Sequence, residues 1–347
     1  MGRFIGNRFG SIAPVVADDP AVSAVYSMSD QYYIRQDGGW IVPLSATGGT
    51  KSNPSPTIAK HVFTATGPFT VDTGSGTITY LILSGGGGGG AGGGGGGGLK
   101  YGTMPAVGPG PYPVTVGAGG AKGDDPTSSN MGTKGGTSTW AGPTSISIAG
   151  GGGGLNWGVH MGESGSGSNA PGPFQTACDG ITGGGAGNRC DGDGGTGEGD
   201  PSPSPGTADQ PIPANGFGGN GGGCGGSPEG QGGGGGGGAG GNGQGPRPEG
   251  SGCNGGVGLV YSMHPGNPNA VGGGGGGGGR EPGCGGGEGN QPGTYGDGVP
   301  GGPGEEVGKD GLNEYGGGGG GGGYSGPTGY PAGGEGGDGL VVLQYPV

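Results

Sequence analysis

The sequence predicts a mainly irregular, all-β fold in which a small antiparallel β framework carries a bundle of polyglycine II helices, preceded by an extended N-terminal arm. Three observations predict it. Of 347 residues, 117 are Gly and 31 are Pro. Uninterrupted glycine runs recur along the chain, and short segments rich in β-branched and aromatic residues stand between them.

Composition alone points toward low complexity. Only 27% of residues are hydrophobic, and Gly loses more conformational entropy on folding than any other residue, so a side-chain core cannot order so long a chain by itself. An ordered state must rest on contacts between backbones.

The arm comes first. Residues 1–60 hold seven Gly, and Pro14, Pro20, Pro43, Pro54 and Pro56 interrupt any long helix. Within it, 22–33 has room for one short helix. The aromatic and apolar residues Phe4, Ile5, Phe9, Tyr26, Tyr32, Tyr33 and Trp40 exceed what an isolated tail needs, so the arm is expected to bury them against a partner. The charge divides at the same place. Residues 1–60 carry five Lys or Arg against four Asp or Glu, and residues 61–347 carry seven against 21, within a formal net charge of −13.

The β framework follows in a domain spanning 61–347. Segments 62–66 and 69–72 flank an expected turn at Gly67-Pro68, and 77–83 reads as a strand whose last four residues, Tyr80-Leu-Ile-Leu, are apolar on both faces as in a central strand. Segments 112–116, 144–148 and 340–345 complete a single expected sheet.

Between the strands lie the glycine runs: 85–98 broken only by Ala91, 150–154, 232–238, 272–279 and 316–323. A flexible linker mixes Gly with Ser, and collagen needs Gly at every third position, so neither matches pure Gly. Pure Gly suits left-handed helices of three residues per turn, with about 3.1 Å rise, packed on every side by neighbours. Such helices have no internal hydrogen bonds. Their N–H and C=O groups must pair across to adjacent helices, with Cα–H···O contacts in support. Peripheral helices can carry side chains outward every third residue, and Glu335-Gly-Gly-Asp338 fits that spacing on a solvated face.

Side-chain chemistry concentrates in the intervening stretches 155–174, 200–217, 244–271 and 288–315. Their Trp157, His160, Tyr261, His264, Tyr295 and Tyr315 offer faces to a saccharide or protein surface. The plainer reading is that these aromatics cover loop ends and pin the helices.

Several functions are excluded or disfavoured. No cluster of Lys and Arg marks a nucleic-acid surface. No apolar run of membrane-spanning or signal-peptide length occurs, so the chain is expected to be made and kept in a cytoplasm before release. Cys178, Cys190, Cys224, Cys253 and Cys284 include no CxxC pair, and a disulfide such as Cys178–Cys190 is the less favoured reading. His61, His160 and His264 have no metal-ligand spacing. Asp191, Asp193, Glu198 and Asp200 lack the spacing of a calcium loop. Neither an enzyme nor a cofactor is expected.

The ordered landmarks Tyr80-Leu-Ile-Leu-Ser before a glycine run, Tyr112-Pro-Val-Thr-Val-Gly-Ala-Gly-Gly120, residues 146–154 and the closing Gly-Gly-Asp-Gly-Leu-Val-Val-Leu-Gln-Tyr-Pro346 resemble the glycine-rich domain of bacteriophage tail-fibre and other surface proteins. The general plan is similar to the polyglycine-helix adhesins at tail-fibre tips. In the arm, Val25-Tyr-Ser-Met-Ser-Asp-Gln-Tyr-Tyr33 with Gly39-Trp40 is similar to a short motif of marine-phage structural proteins, though Ile41 and Val42 separate Trp40 from Pro43. The resemblance implies a virion structural protein, assembled in the host cytoplasm. It would join other virion proteins through its arm and bind a host receptor, a saccharide or an outer-membrane protein, through loops, with homo-oligomerisation open. A capsid decoration or head-fibre protein is the alternative, and a free polyglycine-helix ice-binding or surface protein the second.

Overall fold

In a computed structural model, the described residues are 42–123, 132–154, 233–244, 251–261, 263, 265, 270–279, 307–323 and 331–347. The expected docking residues Phe4, Ile5, Phe9, Tyr26, Tyr32, Tyr33 and Trp40 lie outside them. So do the segment 22–33, the acidic residues 191–200 and every cysteine but Cys253.

The described part is all-β, with two five-stranded antiparallel sheets in place of the single small sheet expected from the sequence. The strands are β1 (Ser45–Thr47), β2 (Thr50–Ser55), β3 (Ile58–Phe63), β4 (Gly67–Thr73), β5 (Gly76–Leu83), β6 (Leu99–Val107), β7 (Gly110–Thr115), β8 (Ser138–Ala141), β9 (Ser145–Ile148), β10 (Leu259–Val260), β11 (Ala270–Val271) and β12 (Leu340–Pro346). The first sheet runs β1-β4-β7-β8-β9, the second β2-β3-β12-β5-β6, and β10 pairs with β11 alone.

Gly67-Pro68 is not a turn between paired strands. The chain crosses from the second sheet to the first between Phe63 and Gly67, and Gly67 and Pro68 open β4. Residues 45–60, given to the arm by the sequence, form β1, β2 and the start of β3.

Alternation explains the packing. Along β3, Ala59, His61 and Phe63 are buried and their neighbours are not; along β4, Phe69 and Val71 point inward. These side chains meet Ile78, Tyr80 and Ile82 of β5, Trp140 of β8, Ile146 and Ile148 of β9, and Val341, Leu343 and Tyr345 of β12 in one core between the sheets. The rings of Phe69 and Tyr345 lie 6.5 Å apart and those of Tyr80 and Trp140 5.8 Å apart, so aromatic contacts bridge both sheets. Each fully buried large side chain contributes about 2–3 kcal/mol.

The second sheet is covered on its outer face too. Leu81, Leu83, Leu99, Leu340 and Val342 pack under Ala239, Met263 and Val271. That double burial is why β5 and β12 read as continuous apolar runs, and Tyr80-Leu-Ile-Leu does lie in an interior strand, between β12 and β6.

Candidate functional site

The described glycine runs are neither strand nor α-helix, and they are buried. The 14-residue stretch 85–98 is two antiparallel segments that continue the β5–β6 hairpin, folded back at Gly90–Gly92 with Ala91 at the bend. Ser84 begins the change of pattern: its Oγ donates to the Ala149 carbonyl and accepts from the Gly98 N–H.

Segment 85–90 shows how the runs cohere. Gly85 and Gly88 donate to Gly136 and Thr133, Gly86 and Gly89 to Gly337 and Gly334, and Gly87 to Gly95. Its carbonyls accept in the same rhythm: Gly85 and Gly88 from Gly151 and Gly154, Gly86 and Gly89 from Gly120 and Gly123, Gly87 and Gly90 from Gly319 and Gly322. These bonds span 2.8 to 3.1 Å. Each partner recurs every third residue, so the segment binds six neighbours through its backbone.

A Cβ has no room there. At Gly86 it would fall on the Gly317 carbonyl oxygen, at Gly87 on that of Gly152, and at Gly88 on that of Ala121. Outer segments need Gly at fewer positions, down to one in three, and turn side chains outward at others. Gly117, Gly120 and Gly123 are buried while Ala118 and Ala121 are exposed, and Gly308 and Gly311 are buried beside exposed Lys309 and Asp310.

At the periphery, side chains stand in for missing neighbours. Asp310 Oδ1 accepts from the Glu335 N–H at 2.7 Å, Asn313 Oδ1 from the Asp338 N–H at 3.1 Å, and Asp338 Oδ1 from the Gly119 N–H at 2.7 Å. The solvated face expected for Glu335 and Asp338 holds for Glu335 alone. Glu335 is exposed, but Asp338 is half-buried and bonded into the array. The sequence signal for such residues is their own three-residue spacing, as in Asp310 and Asn313.

The array has two unlike ends. One abuts the sheets, where Gly85, Gly98, Gly117, Gly150, Gly272, Gly316 and Gly339 adjoin strands or short turns. Gly272 and Gly316 enter there with left-handed backbone, φ 68° and 60°. The other is at the level of the Ala91 bend. The described segments of the array end at 123, 154, 244, 279 and 323 and resume at 132, 233, 251, 307 and 331, every time at this far end, as the bonding partners require: Gly123 with Gly89, Gly154 with Gly88, Gly278 with Ala91, Gly322 with Gly90, Gly333 with Gly123.

Val42 and Val347 lie at the opposite pole. The Val42 carbonyl sits against Gly74 in the β4–β5 turn, and Val347 N–H donates to Thr57 in the β2–β3 turn. Both side chains are exposed, at 52% and 50%.

This geometry separates the six aromatics and histidines predicted from the sequence. Trp157 and His160 belong to the stretch between 154 and 233, and Tyr295 to that between 279 and 307, both joined to the far end; all three lie outside the described residues. Tyr261 and Tyr315 lie beside the sheets, half-buried against the Leu81–Leu83–Leu99 cluster. His264, itself outside the described residues, falls between β10 and β11. Tyr261 packs on Tyr101 with ring centroids 4.3 Å apart, and burial, with Tyr101 and Tyr80 nearby, pushes its hydroxyl above the usual tyrosine range. The stretch 244–271 is not one loop: 251–258 lies in the array, where Cys253 and Gly256 donate to Gly233 and Gly236. Among the described residues no three His, Cys, Asp or Glu side chains come together to hold a metal.

No family model matches the chain, and no curated protein matches it.

Proposed function

We propose that the glycine array is a bundle of polyglycine II helices and that the protein is a phage virion adhesin, held to the particle at the Val42 pole and binding the host surface at the far end. The three-residue bonding period, the six neighbours of segment 85–90 and the lack of space for a Cβ support the helix type. One observation carries the function: all five connections between described segments of the array begin and end at one end of it, opposite the pole where the first 41 residues join. A backbone-packed bundle tolerates almost no side-chain variation inside, whereas stretches that leave and rejoin it at one end can vary at modest loop-closure cost. Receptor choice therefore belongs to those stretches, with Trp157, His160 and Tyr295 as the aromatic contacts, while Tyr261 and Tyr315 serve packing.

The test replaces residues 280–306, and separately 124–131 and 324–330, by Gly-Ser linkers. Particle incorporation, thermal stability and adsorption to host cells are then measured. Retained incorporation and stability with lost adsorption in at least one replacement is expected. Unchanged adsorption in all three, and in a fourth variant with residues 155–232 replaced in the same way, would refute the adhesin reading and favour a decoration protein.

A further inference from the structure

His61 is fully buried yet is not part of the array or its far end. Its Nδ1 lies 2.7 Å from the Gly48 carbonyl oxygen, and its Nε2 3.3 Å from the Tyr345 hydroxyl. A carbonyl can only accept, so Nδ1 carries the proton and Nε2 is left to accept from Tyr345. The Tyr345 oxygen in turn accepts from the Ala46 N–H at 3.0 Å. Thus a residue of β3 and one of β12, both in the second sheet, hold β1 of the first sheet, at Ala46 within it and at Gly48 just past its end.

β1 needs the grip. It has three residues, pairs only with β4 and carries a register shift between Ser45 and Ala46. It also joins the sheets to everything before Val42.

We propose that His61 and Tyr345 form an acid-sensitive latch on β1, closed while the imidazole is neutral and opened when it gains a proton. Once Nε2 bears a proton it becomes a donor. Tyr345 would then accept from both Nε2–H and the Ala46 N–H, and its own O–H proton would lose its acceptor in a site closed to water. The new cation would face Lys51 of β2, whose Nζ donates to the Ala46 carbonyl at 3.1 Å. From β12 it meets Tyr345, and from β4 the Phe69 ring, 5.2 Å away edge-on. None of these groups neutralises a charge. Burial first, then the Lys51 charge, hold the His61 ring below its ordinary range, against the opposing effect of the Gly48 bond.

The sign follows. With the closed-state pKa depressed, the latch is at full strength above about 6.5, the open-state value, and weakens as pH falls from there toward the closed-state value. Hydrogen exchange read by mass spectrometry on the full chain between pH 4 and 8 tests this. Protection of residues 44–50, corrected for intrinsic rates, is expected to fall about tenfold per pH unit within that window while residues 81–83 and 341–343 stay protected. His61→Gln should abolish the pH dependence, and Tyr345→Phe should raise exchange of residues 44–50 already at pH 8. A flat profile in the unaltered protein, the same acid step in His61→Gln, or equal loss across both sheets would overturn the latch. Should neither variant fold, NMR titration of His61 in the unaltered protein decides: a value below 6.5 supports the latch and one at or above it overturns it.

Discussion

Gly275→Ala measures how far the fold depends on backbone packing. Gly275 donates to the Gly94 carbonyl and accepts from Gly236 N–H, both at 2.8 Å, and an added Cβ would fall on the Gly319 carbonyl oxygen. The obstacle is backbone on a neighbouring segment, so relief requires moving the segment itself. Over-packing costs about 1–3 kcal/mol, and stretching one donor and one acceptor out of reach in a buried site adds about 1–3 kcal/mol each. The restricted unfolded chain returns less than about 1 kcal/mol. The expected loss is therefore about 4 kcal/mol, a large share of a typical total stability, with a fall in Tm of about 10 °C. Calorimetry and urea unfolding read both. Gly67→Ala is the control, since its Cβ would meet nothing within 4 Å, and a change within about 0.5 kcal/mol is expected there. If Gly275→Ala costs less than about 1 kcal/mol, or if the two variants behave alike, close backbone packing is not what holds the array.

Three pairs of substitutions, two probing how the array meets its surroundings and one the core between the sheets, are each read as a shift in urea midpoint. Ser138, fully buried, donates to the Leu83 carbonyl and accepts from the Gly117 N–H; Ser138→Ala should cost about 1–3 kcal/mol, against less than about 0.5 for exposed Ser147→Ala. Asp338→Ala removes the acceptor for Gly119 and should cost about 1 kcal/mol, whereas Glu335→Ala, three residues earlier on the same segment, should be near neutral. Trp140 Nε1 is buried without an acceptor among the described residues; Trp140→Phe removes that unmet donor and should cost less than about 2 kcal/mol, while Trp140→Ala should cost about 3–5.

The strands legible in the sequence are those whose side chains are buried on one or both faces. β5, β9 and β12 announce themselves because Thr77-Ile-Thr-Tyr-Leu-Ile-Leu83, Ser145-Ile-Ser-Ile148 and Leu340-Val-Val-Leu343 obey a strand pattern. β2 does not: Thr50-Lys-Ser-Asn-Pro-Ser55 is an exposed edge with Pro54 in it, held by pairing with β3 rather than by burial. β6 is broken by Gly102 and Pro105, and β1 is too short to have a period. Pairing partners are equally hidden, since β12 pairs with β3 and β5 from the far end of the chain.

The array was legible where Gly is unbroken and obscure where it is not. Gly117-x-x-Gly120-x-x-Gly123, Gly132-x-x-Gly135 and Gly308-x-x-Gly311 belong to it, with a buried Gly at every third position. That spacing is the signal to seek in sequences too mixed to look like glycine runs. The splitting of 85–98 at Ala91 carries no such signal, because a bend and a straight segment look the same in pure Gly.

The place of β12 matters for how the chain is made. It inserts between β3 and β5, with every other described strand and glycine segment before it in the chain. At about 5–20 residues per second, a ribosome spends roughly 10–50 seconds between Leu83 and Leu340. Without β12 neither β3 nor β5 has a partner on the edges that it joins, and such unpaired edges invite other strands. The glycines emerging meanwhile have no apolar surface with which to collapse and no finished sheet to grow from. The second sheet is therefore closed by a pairing between residues as far apart in the chain as Leu83 and Leu340, and what holds β3 and β5 in one sheet is a strand from neither of their neighbourhoods.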